Sequence, residues 1–226
     1  MAAPSSTPAS IEGQIDFPYG GEIFQTYYKL FGDPSNHSKH PLIVLHGGPG
    51  FVHNYLVAHS DLTTHHGIPV ILYDQIGNGR STHLKEKGKE FWTIELFIAE
   101  LENVTTHFGI QDGFSILGHS WGGMLAAEFE VRKQPPGLKS LIITNSPPSW
   151  DLWDNSTKQL LQTFPEDVQQ DFLLRMKDPP KFGAAMRKFH AVHGCTVQPF
   201  PEEFVYTMDQ VFGPDGNTSV GTGMSP

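Results

Sequence analysis

The 226-residue sequence predicts a single α/β domain, a mostly parallel sheet flanked by helices, carrying a helical cap. Three observations lead there. Short apolar runs at 42–45, 69–73, 114–117 and 141–144 have the length and composition of buried parallel strands. Stretches with apolar residues three or four apart lie between them, so strand and helix alternate. After Asn145 the strand-like runs cease, and Ser146-Pro-Pro-Ser-Trp150 opens a stretch of helical spacing alone.

Taken in order, residues 1–16 read as a flexible tail, 17–149 as the sheet-and-helix core, and 150–226 as an incomplete cap ending in an irregular tail. Within the core, 22–31 is rich in aromatic and β-branched residues and stops at Gly32-Asp-Pro34, which predicts an early antiparallel strand. Ile94, Phe97, Ile98, Leu101, Val104 and Phe108 give a helix over 91–108, and 123–133 gives another. In the cap, Leu152, Leu160, Leu161 and Phe164 suit one helix, Val168, Phe172 and Leu173 a second, and Phe182, Met186 and Phe189 a third.

Composition narrows the function classes. Lys+Arg is 15 against Asp+Glu 24, a formal charge of -9, so there is no basic surface for nucleic acid or anionic membrane. No window approaches 18 uninterrupted apolar residues, which argues against a membrane span. A lone cysteine, Cys195, and a first ten residues without Lys, Arg or an apolar run point to a reducing, cytoplasmic setting. His65 and His66 are adjacent rather than on one helix face, and no histidine pair has zinc-site spacing, so neither metal nor cofactor is expected. The composition leaves the oligomeric state open.

The chemistry concentrates in three glycine-rich segments at strand ends. Gly118-His-Ser-Trp-Gly122 lies between the 114–117 run and a helix. There a serine on a tight turn, with small neighbours, is presented as a nucleophile. Ser120 is the candidate, with Gly118 and Gly122 giving clearance; the plain alternative is an ordinary glycine turn with a solvated serine. His46-Gly-Gly-Pro-Gly50 follows 42–45, where a loop can aim an amide at a developing oxyanion. Gly48 is the first choice of donor, Gly47 the next, and the Trp121 amide the second donor; Pro49 has no N–H. His46 and His119, each fixed by its own turn, read as braces. Asp74-Gln-Ile-Gly-Asn-Gly-Arg-Ser81 follows 69–73, and an Asp74–Arg80 ion pair supporting the loop is expected rather than a catalytic acid.

These three motifs, in this order, resemble the proline iminopeptidase family of α/β-hydrolases, including its L-amino-acid amidase-like members. The resemblance covers roughly 17–220 and implies an α/β-hydrolase fold. It further implies a serine aminopeptidase or amidase that releases N-terminal proline or another small residue from a short peptide or amino-acid amide. Family members carry a triad aspartate and then a histidine on two further strands. Past Ser120 this sequence offers only His190 and His193, in a helical context, and Asp151 and Asp154 after the fourth run. The segment 221–226 also stands where the family supplies a cap carboxylate for the substrate amine. A shortened chain is therefore expected, with 141–144 on an unprotected sheet edge and poor solubility. The alternative is an impaired fragment, or a non-catalytic module that binds a small ligand in the same cavity.

Overall fold

The computed structural model describes residues 9–36 and 38–224. Its centre is a six-stranded sheet ordered β1-β2-β4-β3-β5-β6. The strands are β1 (Ser10–Tyr19), β2 (Glu22–Phe31), β3 (Leu42–Leu45), β4 (Val70–Tyr73), β5 (Phe114–His119) and β6 (Leu138–Thr144). β4, β3, β5 and β6 run parallel, whereas β1 and β2 form an antiparallel hairpin that joins through β4.

The first correction concerns the amino terminus. Residues 1–8 of the expected tail lie outside the described residues, but Ser10–Tyr19 is a strand, not a tail. Gly20 and Gly21 both adopt positive φ, at 59° and 85°, which is the two-residue hairpin geometry that matches strand twist. Only Ile15 and Phe17 of β1 are buried, so its polar surface face masks the strand pattern in the sequence.

Alternating side chains of the central strands divide between two cores, as the period of two demands. Ile43, Leu45, Ile71, Tyr73 and Ile116 face helices α2 (Ile94–His107) and α3 (Trp121–Lys133). Leu42, Val44, Val70, Leu72 and Leu117 face Leu56, in the 3-10 segment His53–Ser60 that leads into α1 (Asp61–His66). Thr93 caps α2 by accepting the Leu96 amide, at 3.2 Å.

The helices of the segment expected as a cap are α4 (Trp150–Leu161), α5 (Glu166–Leu174), α6 (Pro179–His193) and α7 (Glu202–Phe212). Leu161, Val168, Phe172, Phe182 and Ala185 form a small core of their own. Asp178 caps α6 and two prolines open it, a preorganised start. The expected irregular tail is the second correction: Ser219–Gly223 is a short helix, α8, and Val220 is buried in the main core beside Trp92. Among the described residues β6 pairs with β5 alone, and Ile142 and Ile143 are exposed, so the 141–144 run, though its composition is that of a buried strand, lies on the unprotected sheet edge expected for it.

Candidate active site

The turn from β5 into α3 is built around Ser120, whose backbone sits at φ 53°, ψ -120°. For a residue with a side chain this is a strained conformation, held here because its neighbours fix both ends. The Ser120 amide donates to Thr144 on β6 at 2.9 Å, and the Ser146 hydroxyl donates to the Ser120 carbonyl at 2.8 Å. Close approach explains Gly118 and Gly122. A Cβ on Gly122 would collide with the Leu45 carbonyl, and one on Gly118 with the Gly122 carbonyl. Helix α3 starts at Trp121, so that amide faces outward at a helix N-terminus, where the dipole favours negative charge.

The loop after β3 closes over this turn. A Cβ on Gly47 would lie 3.0 Å from the Ser120 Cβ, so the two residues are in contact. The Gly47 amide is not available to an oxyanion, because it donates to the Tyr55 hydroxyl at 2.8 Å. That removes the second-choice donor on this loop. Gly48 is exposed at φ 118°, and its amide, like that of Trp121, makes no backbone hydrogen bond among the described residues. The Tyr55 hydroxyl, having accepted from Gly47, turns its proton to His119 Nδ1 at 2.8 Å.

Beneath the loop lies a buried polar layer. His46 shares its Nδ1 proton with the Gly47 carbonyl at 3.0 Å, and its Nε2 accepts the Gln75 amide at 2.9 Å. Burial pushes the imidazole down to about 4, which keeps it neutral in this arrangement. The Gln75 side chain then donates to the His46 carbonyl at 3.0 Å and accepts from the Trp121 indole at 2.9 Å. One glutamine thus joins the loop that carries Gly48 to the residue that carries the second amide.

The expected Asp74–Arg80 ion pair is a further correction. Asp74 accepts from His53 Nδ1 at 2.8 Å, from the His53 amide at 2.9 Å and from the Arg80 amide at 3.0 Å. Burial opposes its charge, but the hydrogen bonds from His53 and from the Arg80 amide hold the carboxyl below its usual range. The Arg80 guanidinium instead reaches Glu12 at 2.9 Å and the Tyr27 hydroxyl at 2.7 Å, on the β1–β2 hairpin. Arg80 is exposed, and a fixed salt bridge to a buried carboxylate would cost it that hydration.

Ser120 opens onto two cavities. One, of about 230 Å³, is lined by Gly47, Gly48 and Trp121, by Phe51 and Met124, and by aromatic and methionine side chains of the helices after β6. The other, of about 820 Å³, lies toward Tyr55, Asp61 and Glu203. His190, on α6, lines both, and burial pushes its imidazole down to about 4. His193 lines only the second. No hydrogen bond links Ser120 Oγ to an imidazole among the described residues, and Asp154 is paired with Arg175. No group of three or more His, Cys, Asp or Glu side chains suited to a metal occurs among the described residues, and no helix there is long and apolar enough to cross a membrane.

Comparison with known proteins bears on the family and the fold. The alpha/beta hydrolase fold family matches residues 40–196. A proline iminopeptidase of Lactobacillus delbrueckii subsp. lactis is 33% identical over 213 residues, which cover 92% of this chain and 69% of that protein. One of Lactiplantibacillus plantarum is 37% identical over 145 residues, 64% of this chain, and there the match spans 48% of the relative's length. Among solved structures, VinJ superposes with a TM-score of 0.83 at 39% identity, covering 95% of this chain and 71% of VinJ. The proline iminopeptidase of Mycobacterium smegmatis gives 0.72 at 36%, covering 94% and 74%. On this likeness of sequence and fold, the chain belongs to the proline iminopeptidase family of α/β-hydrolases.

Proposed function

We propose that this chain is a serine hydrolase that opens amide or ester bonds through an acyl-enzyme at Ser120. The observation that carries the reading is the left-handed Ser120 at a strand-to-helix junction, sharing one cavity wall with Gly48 and Trp121. When Ser120 Oγ attacks a carbonyl carbon, the carbonyl oxygen takes up negative charge. The Gly48 and Trp121 amides then donate to it, an interaction whose loss typically costs about 10² to 10³ in rate. The hydroxyl proton must leave to a base, and a neutral His190 has a lone pair to receive it. The name carried by the relatives makes an N-terminal proline or another small residue of a short peptide or amide the first acyl group to try.

A fluorophosphonate probe tests the assignment. Rapid labelling of the folded protein, lost in Ser120→Ala, is the expected result; a folded wild-type protein that stays unlabelled rules out an activated serine. The lack of a Ser120–imidazole hydrogen bond among the described residues favours one second reading, a cavity that binds its ligand without turnover. That reading predicts thermal stabilisation by small amides and no product release.

A further inference from the structure

We propose that His119 is a substrate-binding residue: its Nε2–H holds the carbonyl oxygen one residue beyond the bond being cut, so that the site takes a short peptide in preference to a simple amide. The inference rests on the proposed attack by Ser120 and deepens it.

The order of hydrogen bonds fixes the imidazole. The Gly47 amide donates to the Tyr55 oxygen at 2.8 Å, and the phenolic proton passes on to His119 Nδ1 at 2.8 Å. A neutral imidazole that accepts at Nδ1 carries its proton on Nε2. Burial holds this ring below its ordinary pKa range, which keeps it neutral. With Nδ1 engaged and Nε2 protonated, His119 has no lone pair for the serine proton and is left as a donor.

That donor meets open space. Nε2 has no hydrogen-bond partner among the described residues, yet the sealed side-chain polar atoms without a partner there are those of Tyr73, Asn78 and Ser219. Nε2 is therefore not sealed, and His119 lines both cavities that meet at Ser120. Since Ser120 also lines both, the donor stands next to the nucleophile whichever cavity takes the acyl portion.

Substrate chemistry selects the acceptor. An N-terminal residue has one carbonyl, and the Gly48 and Trp121 amides take its oxygen. The next oxygen along a peptide belongs to the following residue, whose Cα lies about 3.8 Å further on, within reach of the nucleophile's neighbour. An alkylamide has no oxygen there and leaves the Nε2–H to water.

The test compares prolyl-glycinamide with prolyl-isobutylamide, which match in shape and differ in the carboxamide beyond the scissile bond. Calorimetric titration of Ser120→Ala gives both affinities. The expected Kd is about fivefold lower for prolyl-glycinamide, the scale of one neutral hydrogen bond, falling to a gap of less than about twofold when His119→Leu is added. His119→Gln, which keeps a side-chain N–H, restores part of the gap. Nitrogen-15 spectra of the imidazole should place its proton on Nε2, and Tyr55→Phe should leave a mixture of tautomers. Equal binding of the two ligands, binding of neither, a preference that survives His119→Leu, or a proton on Nδ1 each overturns the proposal. A tautomer that Tyr55→Phe leaves unchanged overturns the part given to the phenol. Fluorophosphonate labelling of the wild type reports separately on the nucleophile. Labelling without the peptide preference defeats this inference alone, and the preference without labelling defeats the hydrolase reading alone.

Discussion

Gln75 is sealed from solvent, yet its backbone and side chain make three hydrogen bonds that end on His46 and Trp121. A side chain of equal reach without polar atoms, in Gln75→Met, leaves the indole N–H and the His46 carbonyl unpaired and frees the two amides to drift apart. Fluorophosphonate labelling of the folded variant should slow by about 10- to 100-fold, the scale of losing or misaligning one oxyanion donor. An unchanged labelling rate would show that the two amides hold their positions without this brace. The serine and its glycines are legible in the sequence because their roles are local: one turn needs small neighbours at fixed spacing. Gln75 stands in a quoted motif but shows no sign of its partners there. His53 and Tyr55 bond to residues 21 and 64 positions away, across loops whose meeting only the folded sheet arranges. Asp74 illustrates the same limit, since a nearby arginine in sequence suggested a partner that a distant histidine supplies.

At the scale of elements, strands and helices whose apolar residues repeat with a clear period are readable, as the central β3, β4 and β5 and helix α2 show. β1 is hidden by its polar face, and α8 by having one buried anchor, Val220. Helix α2 also carries a feature that periodicity cannot reveal. Glu100 is fully buried, accepts from the Thr26 hydroxyl on β2, and accepts the Ile76 amide at 2.9 and 3.0 Å. It ties helix, strand and the Asp74 loop together from inside the core. Burial pushes this carboxyl from 4.5 up to about 8. Between those values the folded state keeps a proton that the unfolded chain has released, so stability from this group falls as pH rises, by at most about 1.4 kcal/mol per pH unit. Glu100→Gln retains an acceptor oxygen and cannot ionise. Its melting temperature relative to wild type should therefore rise from pH 5 to pH 8. Thermal melts at the two pH values check this, and an offset that does not change with pH contradicts it.

For the whole molecule, the sheet has one protected end and one open one. On one side the β1–β2 hairpin closes the parallel strands, with β1 largely polar and Glu12 paired to Lys29 and Arg80. At the other, β6 presents a backbone edge that is unpaired among the described residues, with Ile142 and Ile143 exposed at 39% and 50%. An apolar strand edge of this kind is a template for pairing with another chain. β6 is also the strand whose Thr144 carbonyl holds the Ser120 amide, so association at this edge acts next to the nucleophile's own support. Light scattering on a concentration series should show reversible or progressive self-association of the wild-type chain. Ile143→Lys places a charge on the edge, where a neighbouring copy would have to bury it, and should shift the protein toward monomer without loss of fluorophosphonate labelling. Ile143 is half exposed, so folding stability should change by less than about 1 kcal/mol. A wild-type protein that stays monomeric and unfolds cooperatively at high concentration would show that the β6 edge does not drive association.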